Sequence, residues 1–134
     1  MVSAVTAMIV SDSLRVLLVE DDDDLVFLYR QKLEHDEYQV DVARDEEQAL
    51  RMASGAAYDL IFLDIRLRQA DGFAVLENLR SRGATRQTPV VVLSNLGTGD
   101  LRARGRRLGA LEVLIKSAVV GGARAGFTSY AQAG

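Results

Sequence analysis

Cysteine is absent from this 134-residue chain, which excludes a disulfide framework, a thiol nucleophile and a zinc–thiolate site and is compatible with a reducing compartment. Histidine occurs once, as His35 near the end of a predicted helix, where solvation is the ordinary state, and no role is assigned to it. No apolar run approaches the length needed to span a bilayer; Met1 to Val10 are mildly apolar but lack a basic start. No G-x-G-x-x-G follows the first predicted strand, which disfavours a dinucleotide-binding enzyme. Only two lysines, Lys32 and Lys116, stand against fourteen arginines, so a lysine at a particular place is telling.

What is present reads as one soluble globular domain: 49% of residues are apolar and 26% charged, against the profile of a disordered chain. The length suits a single hydrophobic core and is expected to leave no room for a second large domain. A net charge of −3 gives no reason to expect direct binding of nucleic acid or of an anionic membrane. Residues 1–12 read as an N-terminal extension.

Short apolar runs at about 14–19, 39–43, 60–63, 90–93 and 112–115 predict strands, and helical periodicity lies between them. Such alternation predicts a parallel sheet. Helices are expected from about Asp23 to Glu34, from Glu46 to Ala53, from near Gly72 to a point before Gly83 and from Asp100 to Leu108, the last weakened by Gly105. Beyond Lys116 the pattern fails, because Gly121, Gly122 and Gly126 fall where a fifth helix belongs.

Four of the runs end in chemistry-bearing residues. Glu20 and Asp21 end the first, Asp64 the third, Ser94 the fourth and Lys116 the fifth. In an open parallel sheet, ligands bind outside the carboxyl ends of the strands, so these residues can converge in one crevice. Three acids there point to a metal site.

Taken together, Leu17-Leu18-Val19-Glu20-Asp21-Asp22, Tyr58-Asp59-Leu60-Ile61-Phe62-Leu63-Asp64, Asp71-Gly72, Leu93-Ser94 and Gly109-Ala110 followed by Ile115-Lys116 closely resemble the receiver domain of two-component response regulators. The resemblance covers about residues 13–117, leaving 118–134 as a Gly-rich segment. It implies an α/β, flavodoxin-like, doubly wound five-stranded sheet of order 2-1-3-4-5, here with an atypical or missing fifth helix.

It also implies that Asp64 accepts a phosphoryl group from a sensor histidine kinase or a phosphotransfer protein. Glu20 and Asp21 match the acidic pair that binds Mg²⁺, and Arg66 the position whose backbone carbonyl completes the metal site. Ser94 matches the switch hydroxyl and Lys116 the phosphate-binding lysine. A stand-alone cytoplasmic receiver that signals through a downstream protein partner is the expectation, since no DNA-binding domain fits after residue 117. The chain would promote only its own phosphorylation and dephosphorylation.

Departures from the family pattern are Arg68 in place of a proline, Asn95 in place of a small residue, Val113 in place of the switch aromatic, and Ser117 after the lysine. A missing fifth helix is expected to leave an irregularly packed end or a homodimer that covers the gap. The alternative function is a receiver-like interaction module acting without phosphorylation. A haloacid-dehalogenase-like phosphatase is disfavoured, because its second aspartate would stand where Arg66 is. Asp22, Asp23 and Asp24 read as solvated acids at a helix start, and Asp71-Gly72 as a turn and helix start. Arg102, Arg104, Arg106 and Arg107 read equally as a basic partner surface or a solvated helix face.

Overall fold

In the computed structural model, which describes residues 14–67, 70–95 and 99–116, the strands are β1 (Arg15–Val19), β2 (Gln39–Ala43), β3 (Leu60–Asp64), β6 (Val90–Ser94) and β7 (Glu112–Ile115). They form one sheet in the order β2-β1-β3-β6-β7, with every pairing parallel. This is the expected 2-1-3-4-5 order; β4 (Arg66–Leu67) and β5 (Ala70–Asp71) make a separate antiparallel ribbon that hydrophobic pattern did not predict. Two-residue strands carry no periodicity to read.

Four helices lie among the described residues: α1 (Asp23–His35), α2 (Glu46–Gly55), α3 (Gly72–Ser81) and α4 (Gly99–Arg107). Aspartate starts three of them. Asp22, Asp45 and Asp71 accept hydrogen bonds from Leu25 N, Gln48 N and Phe73 N at 3.0, 2.8 and 2.9 Å, satisfying amides that the helix itself leaves unpaired. Asp23 and Asp24 then lie in the first turn of α1, where the macrodipole favours anions. At the other end Glu37 takes a left-handed φ of 71°, and Tyr38 N reaches back to Leu33 O at 3.1 Å.

The central strands β1, β3 and β6 are buried on both faces, which is why they read as unbroken apolar runs. Leu17, Val19, Ile61, Leu63, Val92 and Val113 face Ala49, Ala53, Phe73, Leu76 and Leu79. On the opposite face, Val16, Leu18, Leu60, Phe62, Val91 and Leu93 pack with Tyr29 and Leu33 of α1. Val26 completes the buried stripe of α1, a position the sequence periodicity had not singled out.

Gly105 has a packing role. A Cβ there would lie 2.5 Å from Val113 Cγ2, so its absence lets α4 close on β7. Among the described residues no helix is long and apolar enough to cross a membrane. The expectations for residues 1–12, Arg68, Ser117 and the fifth-helix region all fall outside the described residues.

Candidate functional site

Sheet register decides which side chains meet. Val19 pairs with Leu63, so Glu20 emerges level with Asp64, and Glu20 N is held by Ala43 O at 3.0 Å. Asp64 pairs with Leu93, placing Ser94 one residue beyond, and Ser94 pairs with Ile115, after which Lys116 follows. Parallel strands ending at one level therefore bring residues 20, 64, 94 and 116 to a single edge, as expected of open α/β sheets.

Glu20, Asp64, Ser94 and Lys116 are all buried. One carboxylate oxygen from each of Glu20, Asp21 and Asp64 lies within 4.8 Å of the others. The Lys116 ammonium sits 2.8 Å from Asp64 Oδ2 and 3.6 Å from Glu20 Oε1. Asp64 Oδ1 accepts a hydrogen bond from Arg66 N at 2.9 Å, so both oxygens of Asp64 are held.

Charge does not balance in this crevice: three acids face one described ammonium. Burial, followed by the nearby Asp64 carboxylate, pushes Glu20 up to about 9 from an ordinary 4.5; Lys116 only partly offsets this and Asp21 adds to it. Glu20 Oε2 is buried without a hydrogen-bond partner. A buried carboxylate oxygen left so is costly unless a cation or proton meets it. Tyr29, which the sequence places on the apolar side of α1 without a part in the site, has its phenol held above its ordinary range by burial and then by Glu20, Asp64 and Asp22.

The turn after Asp64 is clamped by Gly72. Gly72 N donates to Ile65 O at 2.8 Å, and a Cβ at Gly72 would lie 2.5 Å from both Asp64 O and Ile65 Cα. The Asp71-Gly72 pair is thus a helix start, as read from sequence, and also the backing of the acid-bearing turn.

The other singled-out residues separate. Asn95 is exposed at the mouth of the strand end, and Val113 is buried. Arg106 forks onto Glu112 at 3.0 and 2.9 Å, and Arg104 lies 4.4 Å over the Phe73 ring centroid. Two of the four arginines of α4 are therefore engaged within the chain. His35 lies in the last turn of α1, away from the strand ends.

A parallel five-stranded sheet with acids and a lysine at its carboxyl edge defines a receiver-type signalling module, and the chain's relatives agree. Residues 16–120 match the model of the response regulator receiver domain. The chain is 39% identical over 105 residues to the response regulator PleD of Caulobacter vibrioides, covering 78% of this chain and 23% of that protein. It is 38% identical over 102 residues to the transcriptional regulatory protein CpxR of Escherichia coli K12, covering 76% of this chain and 42% of the relative. The chain thus spans less than half the length of these relatives.

Among solved structures, the receiver domain of the Francisella response regulator 1452 superposes with a TM-score of 0.80 at 25% identity, covering 90% of this chain and 98% of that one. The receiver domain of the sensor histidine kinase PA1611 from Pseudomonas aeruginosa PAO1, with a magnesium ion coordinated in its active site cleft, gives 0.78 at 27% identity, covering 90% and 95%. The chain belongs to the response regulator receiver domain family.

Proposed function

We propose that this receiver takes a phosphoryl group onto Asp64 from the phosphohistidine of a sensor kinase or phosphotransfer protein, and signals by presenting an altered surface to a downstream protein. The observation that carries the reading is the buried cluster itself: three carboxylate oxygens within 4.8 Å of one another, with the Lys116 ammonium 2.8 Å from Asp64.

The donor set fits Mg²⁺, a hard cation that takes oxygen ligands and uses one or two carboxylates beside its waters. Glu20, Asp21 and Asp64, with the Arg66 carbonyl, are the groups proposed to hold it, and the unpartnered Glu20 Oε2 is an acceptor awaiting a cation. When bound, Mg²⁺ supplies positive charge that offsets repulsion between the carboxylate and the incoming phosphoryl oxygens. The magnesium seen in the Pseudomonas receiver supports the assignment.

In the transfer, an Asp64 carboxylate oxygen forms a bond to phosphorus as the phosphorus–nitrogen bond breaks, and the electron pair returns to the imidazole. Lys116 starts as the counter-ion of Asp64 Oδ2 and then pairs with a phosphoryl oxygen. Arg66 N, now on Asp64 Oδ1, is a second donor at the reacting group. The Ser94 hydroxyl, one residue past the partner of Asp64, donates to the new phosphate and draws the end of β6 toward it. The domain is taken as residues 13–117, and a cytoplasmic location is proposed with it, in keeping with a kinase-linked phosphoryl donor.

Intact-protein mass spectrometry with acetyl phosphate and Mg²⁺ tests the reading. One added phosphoryl group, lost in Asp64→Ala and in chelator, is the expected result. No addition under conditions where Mg²⁺ binds would favour the module that acts without phosphorylation.

A further inference from the structure

We infer that Arg104 couples the Asp64 turn to helix α4, through Asp71 and Phe73, and so carries the state of the site to the exposed face of that helix. This inference rests on the phosphoacceptor reading above. It starts from Val113: the side chain is buried, and a Gly105 Cβ would lie 2.5 Å from its Cγ2, so an aliphatic side chain and not an aromatic one fills the β7 side of the contact with α4. Coupling between site and surface needs another physical connection.

One is continuous. Asp64 Oδ1 accepts from Arg66 N at 2.9 Å, and Arg66 pairs with Asp71 across the β4–β5 ribbon. Asp71 uses Oδ1 to cap α3, accepting from Phe73 N at 2.9 Å, while its Oδ2 faces Arg104 Nη2 at 3.9 Å. The Arg104 guanidinium also lies 4.4 Å over the Phe73 ring. Because Gly72 leaves no space between α3 and the backbone of Asp64 and Ile65, a movement of that turn is passed to Asp71 and Phe73 rather than absorbed.

The last contact can open. The side chains of Arg104 and Asp71 are 50% and 55% exposed, so the clamp is held weakly and competes with hydration. A phosphoryl group on Asp64 adds about −1.5 to −2 charge and acceptor oxygens, and Arg66 N follows them. The ribbon moves with it, Asp71 and Phe73 shift beneath Arg104, and the balance between clamped and released guanidinium changes. Arg102 and Arg107 lie exposed on the same helix, and Arg102 is one of the charges that hold the Glu112 carboxyl below its ordinary range. Arg104 would join them on release, making α4 more basic toward an acidic partner.

Hydrogen exchange of the whole chain, with Mg²⁺ and beryllofluoride as the phosphoryl mimic, tests the coupling, and the fluorine NMR signal of bound beryllofluoride reports site loading separately. In the wild-type chain, loading is expected to change exchange at Leu101 to Arg107 by about fivefold or more. Arg104→Met keeps a long apolar stem on Phe73, and Asp71→Asn keeps the helix cap; both are expected to retain the bound signal while the α4 response falls to about twofold or less.

An undiminished α4 response in both variants would overturn the inference, as would a loaded wild-type site with no α4 response. Loss of the bound signal in both variants would make these residues supports of the site instead of couplers. A wild-type chain that binds no beryllofluoride would overturn the phosphoacceptor reading itself.

Discussion

The Lys116 ammonium lies 2.8 Å from Asp64 Oδ2 and 3.6 Å from Glu20 Oε1, so one buried cation serves two buried carboxyl groups. Removing one member of a buried ion pair is far more damaging than the pair is stabilising. Lys116→Met is expected to lower stability by about 3 kcal/mol without Mg²⁺, with part regained when Mg²⁺ is added. Phosphoryl uptake should slow by about a hundredfold. Denaturant titration and single-turnover mass spectrometry check the two halves separately.

Mg²⁺ should raise the unfolding midpoint, because a ligand that binds only the folded chain stabilises it by mass action, about 2.7 kcal/mol at a hundredfold excess over Kd. Asp21→Asn, which replaces a half-buried carboxylate of the cluster, should weaken the rise without unfolding the protein. A midpoint in the wild-type chain that ignores millimolar Mg²⁺ counts against the metal assignment.

The two close-packed glycines should respond differently to alanine. At Gly72 the new Cβ meets backbone 2.5 Å away, at Asp64 O and Ile65 Cα, and the acid-bearing turn must move. A cost of about 3 kcal/mol and slower phosphorylation are expected. At Gly105 it meets a side-chain methyl of Val113, which has somewhere to go. Gly105→Ala should cost less, and adding Val113→Ala should recover part of the loss. Equal costs at both sites in thermal melts would contradict this.

Arg80 donates to four backbone carbonyls: Gly109 at 3.2 and 2.8 Å, Thr85 at 3.0, Arg86 at 3.1 and Thr88 at 2.7 Å. It ties the end of α3 to the loops before β6 and β7, and a lysine lacks the fork to do so. Arg80→Met and Arg80→Lys should each cost about 2 kcal/mol. The same changes at exposed Arg82 should stay within about 0.5 kcal/mol, and denaturant midpoints discriminate the two cases.

At the opposite edge of the sheet, Tyr58 donates to Asp41 Oδ2 at 2.7 Å while Arg15 reaches the same oxygen at 3.0 Å. Burial, then this hydrogen bond, pushes the Tyr58 phenol from 10 up to about 12. A raised pKa in the folded state gives stability that is present below pH 10 and lost as pH rises through about 12. Asp41→Asn should move the Tyr58 transition back toward 10, followed by tyrosine ring-carbon NMR. An unmoved transition would leave burial as the whole cause.

Much of the site was legible because parallel strands buried on both faces are unbroken apolar runs, and their polar terminators stand out. Glu20, Asp64, Ser94 and Lys116 are each the first polar residue after such a run. The four helices were legible from apolar spacing, and two of their starts from the acids at Asp22 to Asp24 and from Asp71-Gly72; the Asp45 cap went unread, and Val26 escaped notice because it lies among several apolar residues of α1. The β4–β5 ribbon left no signal, since two-residue strands are too short for any period.

By itself the sequence determined the order of elements and the chemistry available at the strand ends, because alternating apolar periods and terminating acids are local properties. Only the tertiary structure decided the rest. Register set Glu20 level with Asp64, and burial drove Glu20 toward the neutral form. The same arginine-rich helix was divided into residues held by Phe73, Asp71 and Glu112 and residues left facing solvent. Those outcomes depend on distances between segments far apart in the chain, and packing alone determines them.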